Sequence, residues 1–242
     1  MYIIEASAIS GFLSGMGKKF RNYTRTFPAR SITNIEDITF AATHLCAYGV
    51  PYNGRGGQVY PKVADMYALE LILAPLIEKV WHYFNATPNT PNTQADFDSF
   101  HDDLCETFIN GMRSAGYSPT YGNAQKMVNM LFKYLTCFSD YPRFASLFDH
   151  CHIPIDGRIL GRFASTYHVP GAKGTLAHGK YDGVAWSKMD KVKYLALLDA
   201  YRTTLAPLKG SNSWLGLEYA IWVGGTIPTS GRVAIHIKEF YK

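Results

Sequence analysis

Apolar residues in the middle of this chain recur at the spacing of a helix face, and one short turn interrupts the recurrence. Phe97, Phe100, Leu104 and Phe108 form one stripe; Met127, Leu131, Tyr134 and Phe138 form the next. Residues three or four apart share one side of a helix, so each stripe has to be buried against another element. Between them lies "YSPTYG", six residues that leave room only for a tight connection. The unit therefore reads as helix, glycine-containing turn, helix.

The same period runs through most of the chain. Asn34 suits the cap of a helix to about Tyr48, with Ile35, Ile38, Ala42 and Leu45 on one face. A second helix is expected over 63–85, kinked at Pro75. After the turn cluster "NATPNTPNT", Thr93 opens a helix that ends near Gly116. Further helices are expected over 123–138, from Asp156 to about Tyr167, over 187–206 and over 212–222, with a short segment at 139–151. Residues 168–183 read as a glycine-rich basic loop, and 232–241 alternate like a terminal strand. The expected class is mainly α, in one domain over residues 1–242.

Composition narrows the partners. With 242 residues, 47% of them hydrophobic, the chain can bury a sizeable core. Its net charge of +5 leans towards a polyanion, and "GKKFRNYTRTFPAR" concentrates Lys18, Lys19, Arg21, Arg25 and Arg30 with no acid between them. Aromatics at 14% first build cores; any left on a basic surface suit base stacking. Cys46, Cys105, Cys137 and Cys151 form no Cys-x-x-Cys pair, which argues against a zinc site, an iron–sulfur cluster or a disulfide framework. No metal or cofactor is implied. No apolar run reaches the roughly 18 residues of a membrane span, and "MYIIEASAIS" lacks the form of a signal peptide. The expectation is a reduced, cytoplasmic, soluble monomer.

Two side chains stand out for chemistry. Lys126 falls in the first turn of the helix after "YSPTYG", off the apolar stripe, where an ordinary solvated lysine is the simplest account. Asp156, in "HIPIDGRILGRF", follows Pro154 and would make an ordinary helix N-cap. Together the two segments resemble the helix-hairpin-helix DNA glycosylases. In that family an apolar residue and an aspartate, often behind a proline, begin a helix with a hydrophobic–arginine pattern. "GNAQKMVNMLFKYL" is similar to the hairpin's second helix, which carries a catalytic lysine in bifunctional members. The interval from Lys126 to Asp156 is longer than in most members and looks more like the archaeal 8-oxoguanine glycosylase branch. The resemblance covers 116–167. It departs from the family where "YSPTYGNAQ" replaces the usual Leu-Pro-Gly-Val-Gly hairpin.

The resemblance implies a two-lobed helical domain with a cleft between the lobes, binding double-stranded DNA that contains a modified base. Asp156 would stabilise the positive charge that develops on the sugar, and Lys126 would attack C1′ to form a Schiff base. Gly122, Asn123 and Gln125 would lie at the phosphate-binding hairpin. Arg158 and Arg162 are candidate phosphate contacts, and Arg55 and Gln58 of "NGRGGQ" candidate wedges; that loop has no P-loop ending. His150 and His152 could touch DNA, and Trp186, Trp214 and Trp222 either fill the core or grip an extruded base. The favoured substrate is oxidised guanine. A hypermodified phage cytosine, such as glucosylated hydroxymethylcytosine removed in anti-phage defence, is the second. Two readings from other classes stand beside these: a non-catalytic helix-hairpin-helix DNA-binding module, and a helical adaptor or toxin-like protein with no DNA role.

Overall fold

A computed structural model describes Ile9, Phe12 and residues 30–46, 66–85, 93–162, 180–209, 213–223, 226–228 and 234–236. Among these residues the protein is mainly α, with helix in 75% of them. The helices are α1 (Ile35–Phe40), α2 (Met66–Asn85), α3 (Gln94–Ser114), α4 (Tyr121–Leu135), α5 (Gly157–Arg162), α6 (Lys191–Lys209) and α7 (Trp214–Val223). A π-helical turn, Ala41–Cys46, continues α1, and 3-10 helices span Tyr141–Phe148 and Trp186–Lys188.

Most helix starts obey local capping chemistry. Asn34 and Asp37 close a capping box at α1, and Thr93 and Asp96 close another at α3. Helix α3 ends where Gly116 takes φ +85°, a conformation open to glycine. There the Gly116 N–H donates to Arg113 O and the Tyr117 N–H to Met112 O, which satisfies two orphan carbonyls. Helix α4 starts at Tyr121, two residues before the expected 123, because Thr120 forms a third box with Asn123. The Asp190 and Ser213 side chains accept from Lys193 N and Gly216 N at the starts of α6 and α7.

The glycine-rich loop expected over 168–183 is corrected at its far end. Lys180–Tyr181 (β1) and Val184–Ala185 (β2) pair antiparallel across Asp182 and Gly183, both at positive φ. An Asp-Gly pair of this kind makes a two-residue hairpin turn whose twist matches the strands. The terminal strand expected over 232–241 is described at Ala234–His236 (β4), paired with Thr226–Pro228 (β3).

Helix α4 is central: all of its residues but Met130 are largely buried. It packs on α3, the π-helical turn, the 186–188 turn and α6. Around it Tyr83, Phe84, Phe97, Phe132 and Phe148 meet ring to ring, and Tyr83 stacks on Phe100 at 5.0 Å. Truncating such a residue, Phe132 for example, costs about 3–5 kcal/mol. Among the described residues no helix is long and apolar enough to cross a membrane.

Candidate active site

The site begins at the tight approach between α4 and the 186–189 turn. A Cβ on Gly122 would lie 1.9 Å from Trp186 O, so only glycine allows this contact. The Gly122 N–H donates to Met189 O at 2.9 Å, and Thr120 Oγ1 donates to Ser187 O. That docking fixes the first turn of α4 against the rest of the protein.

One turn on, α4 grips an unusual segment. Residues 151–156 belong to no helix or sheet, yet are almost entirely buried. Their backbone groups need partners, since an unpaired buried amide is costly. Side-chain amides supply them. Gln125 Nε2 donates to Ile155 O at 2.8 Å, and Gln125 Oε1 accepts from Ile155 N at 3.2 Å. Asn129, one turn later, donates to Ile153 O at 3.1 Å.

Lys126 is the next residue after Gln125, as Asp156 is after Ile155. Lys126 Nζ lies 2.8 Å from Asp156 Oδ2, with 11% and 25% of the two side chains exposed. The carboxylate's other oxygen accepts from Arg158 N and Ile159 N, both at 2.9 Å, capping α5. Burial pushes the Asp156 carboxyl up. The charge and hydrogen bond of Lys126, the Ile159 N–H and the charge of Lys133 outweigh this, and hold it below the usual carboxylate range. The pair is a charged carboxylate and an amine at the edge of the core, partly open to water.

A second pair lies deeper on the same face of α4, and sequence reasoning missed it. Lys133 Nζ donates to Glu218 Oε1 at 2.8 Å, with both side chains 1% exposed. The ammonium also sits 4.2 Å from the centre of the Phe12 ring and 4.7 Å from that of Tyr219. Burial pushes the lysine down and the glutamate up, each against its partner's pull. The repeat of lysine seven residues after Lys126 was the available signal, because that spacing returns to the same helix face.

Behind residues 151–156 a polar chain runs from the sealed His152 to a partly exposed Asp98–Arg202 pair. Arg202 holds Asp98 through both carboxylate oxygens, at 2.7 and 2.8 Å. His152 Nε2 meets Asp98 Oδ1 at 2.8 Å and its Nδ1 meets Tyr194 OH at 2.9 Å. A carboxylate only accepts, so Nε2 carries the proton and Tyr194 donates to Nδ1. Burial takes His152 down to about 4, and lowers His101, whose ring lies 4.0 Å from it.

Gly122, Asn123 and Gln125, expected at a phosphate, are buried, and the Gly122 N–H, the Asn123 cap and the Gln125 amide bond within the protein. His152 is likewise turned inward, while His150 is half-buried and its carbonyl accepts from Gln94. Trp186 and Trp214 are core residues, Trp214 donating to Gln94 Oε1. Arg158 is exposed beside Asp156. Arg55, Gln58 and the side chains of Arg162 and Trp222 lie outside the described residues.

Cys105, Cys137 and Cys151 are buried free thiols that burial pushes up, Cys137 to about 12, so none is a ready nucleophile. Among the described residues no cluster of three or more His, Cys, Asp or Glu could hold a metal ion. Compared with known protein families, curated proteins and solved structures, the chain matches none.

Proposed function

We propose that this protein is a DNA N-glycosylase that extrudes a modified base and cuts its bond to deoxyribose. The observation that carries the reading is the contact of Lys126 Nζ with Asp156 Oδ2, 2.8 Å apart at a partly open edge of the core. In this reading α3, the 115–120 turn and α4 act as a helix-hairpin-helix, in a two-lobed helical domain whose cleft receives the nucleotide. The phosphate contacts differ from the resembled family, because the Gly122 N–H is already bonded to Met189. Exposed Arg158 is the nearest candidate to hold phosphate.

The chemistry suits an amine beside an ionised carboxylate. As the base leaves with the electron pair of the glycosidic bond and takes a proton from water, positive charge develops on the sugar. Asp156 stabilises that charge. Lys126, after passing its proton to the hydroxide left by that water, donates its lone pair to C1′; the ring oxygen then leaves C1′ and takes a proton from the nitrogen, which leaves a Schiff base. Without the lysine step, water takes its place and an abasic site remains.

The test is a panel of duplexes carrying oxidised, alkylated, deaminated or glucosylated bases, scored for abasic sites. Oxidised guanine is the first substrate expected, glucosylated hydroxymethylcytosine the second. Asp156→Asn should keep DNA binding and lose base release by about 100-fold or more. Borohydride trapping that disappears in Lys126→Gln assigns the nucleophile. Release of no base from any duplex rejects the enzyme. One observation favours a second reading: Asp156 also caps α5, a wholly structural duty. A binding module would then hold duplex DNA with steep salt dependence and release nothing.

A further inference from the structure

The pairing of two consecutive residues on α4 with two consecutive residues of the 151–156 segment carries more than a contact. Gln125 takes Ile155 by its backbone, and Lys126 takes Asp156 by its side chain. An extended strand normally obtains such backbone bonds from a neighbouring strand, which also sets its register. Here no strand is adjacent among the described residues, and for Ile155 a single carboxamide does that work. It is saturated: Nε2 donates to Gly122 O and Ile155 O, and Oε1 accepts from Ile155 N and Asn129 Nδ2. Its orientation is therefore fixed from both ends, and Gly122 is itself held by Met189.

We propose that Gln125 is the positioning residue of Asp156: by clamping both backbone groups of Ile155 it sets where the next residue's carboxylate stands against Lys126 and the start of α5. Gln125 is wholly buried, so any effect it has on a substrate passes through the residues it holds, Ile155 and with it Asp156 first among them. A slip of the segment by one residue would turn Asp156 away and present a neighbour in its place. The assignment rests on the glycosylase reading for its kinetic consequence but not for its structural one.

Gln125→Met keeps the length and removes all four hydrogen bonds. The groups facing the Asp156 carboxylate are Lys126, the Arg158 and Ile159 N–H groups and, further off, Lys133 with its partner Glu218. With its register loosened, Asp156 should lose part of that field. A carbon-13 titration of its carboxyl should then move up by about one pH unit. In single-turnover assays on the duplex that the native protein cleaves, base release should fall about 100-fold while DNA affinity stays within about threefold. Arginine or lysine variants on the surface should not produce that split. An unchanged Asp156 titration in folded Gln125→Met overturns the proposal, whatever the activity. A shifted titration in a protein that cleaves no duplex upholds the positioning role and rejects the enzyme instead. Should Gln125→Met not fold, hydrogen exchange in the native chain decides: the Ile155 amide should be protected as strongly as the core of α4, and exchange at the rate of an exposed loop overturns the clamp.

Discussion

Helix α4 carries two lysine–carboxylate pairs on one face, and they differ in access to water. Lys126–Asp156 keeps 11% and 25% of its side chains exposed; Lys133–Glu218 keeps 1% of each. The open pair can exchange protons with solvent and meet a ligand. The closed pair has lost its hydration, and attraction, two aromatic rings and a hydrogen bond only offset that loss. One sequence pattern thus yields a candidate reaction centre at one end of the helix and a buried strut at the other. The same contrast recurs in the histidines, where His150 is half-buried and His152 sealed.

Breaking the closed pair should have the largest effect. Lys133→Met leaves Glu218 buried and unpaired, and should cost about 3–5 kcal/mol in urea unfolding. Lys133→Met with Glu218→Leu should recover most of that. A single variant no worse than the double would erase the distinction between the pairs.

Acid should come next. His152 and His101 are pushed down on folding, so the unfolded chain binds more protons between the ordinary histidine value and about 4. Their contribution is fully present above about pH 6.5 and is lost as pH falls towards 4, on the order of 3 kcal/mol for His152. Asp98 is held below the carboxylate range, burial pushing it up but the His152 and Arg202 bonds prevailing, so its contribution is lost at still lower pH. Thermal melts from pH 7 to 4 should fall steadily; a flat profile would mean that His152 is charged in the fold.

Lys126→Met should cost about 1–2 kcal/mol, less than its deeper counterpart, because Asp156 keeps two backbone donors and contact with water. It should raise the Asp156 titration towards ordinary values while the fold persists. Smallest of all is Lys79→Ala: the Lys79–Asp103 pair is exposed on both sides, and its loss should stay within about 0.5 kcal/mol. A large effect there would show that exposure does not rank these pairs.

Some of this was legible before any coordinates. Helical period and capping residues place α1 to α4 and α6 to within a few residues, since Asn34 and Thr93 act on neighbours in the chain. The Asp182–Gly183 turn has an equally plain signature, but two-residue strands are too short to show alternation beside the glycines that precede them. Thr120 was missed as a cap because its partner is Asn123, where glutamate or glutamine marks a capping box more plainly.

Most helices, the Asn34 and Thr93 caps, and a lysine and an aspartate at suggestive helix starts follow from residues close together in the chain. That Gly122 makes room for the Trp186 carbonyl, that Gln125 holds Ile155, and that Lys126 rather than Lys133 stands near water are set by packing between distant segments. Periodicity records what lies within a few residues along the chain. Burial and partnership across 30 residues or more leave no trace in it, because they depend on which surfaces close over which.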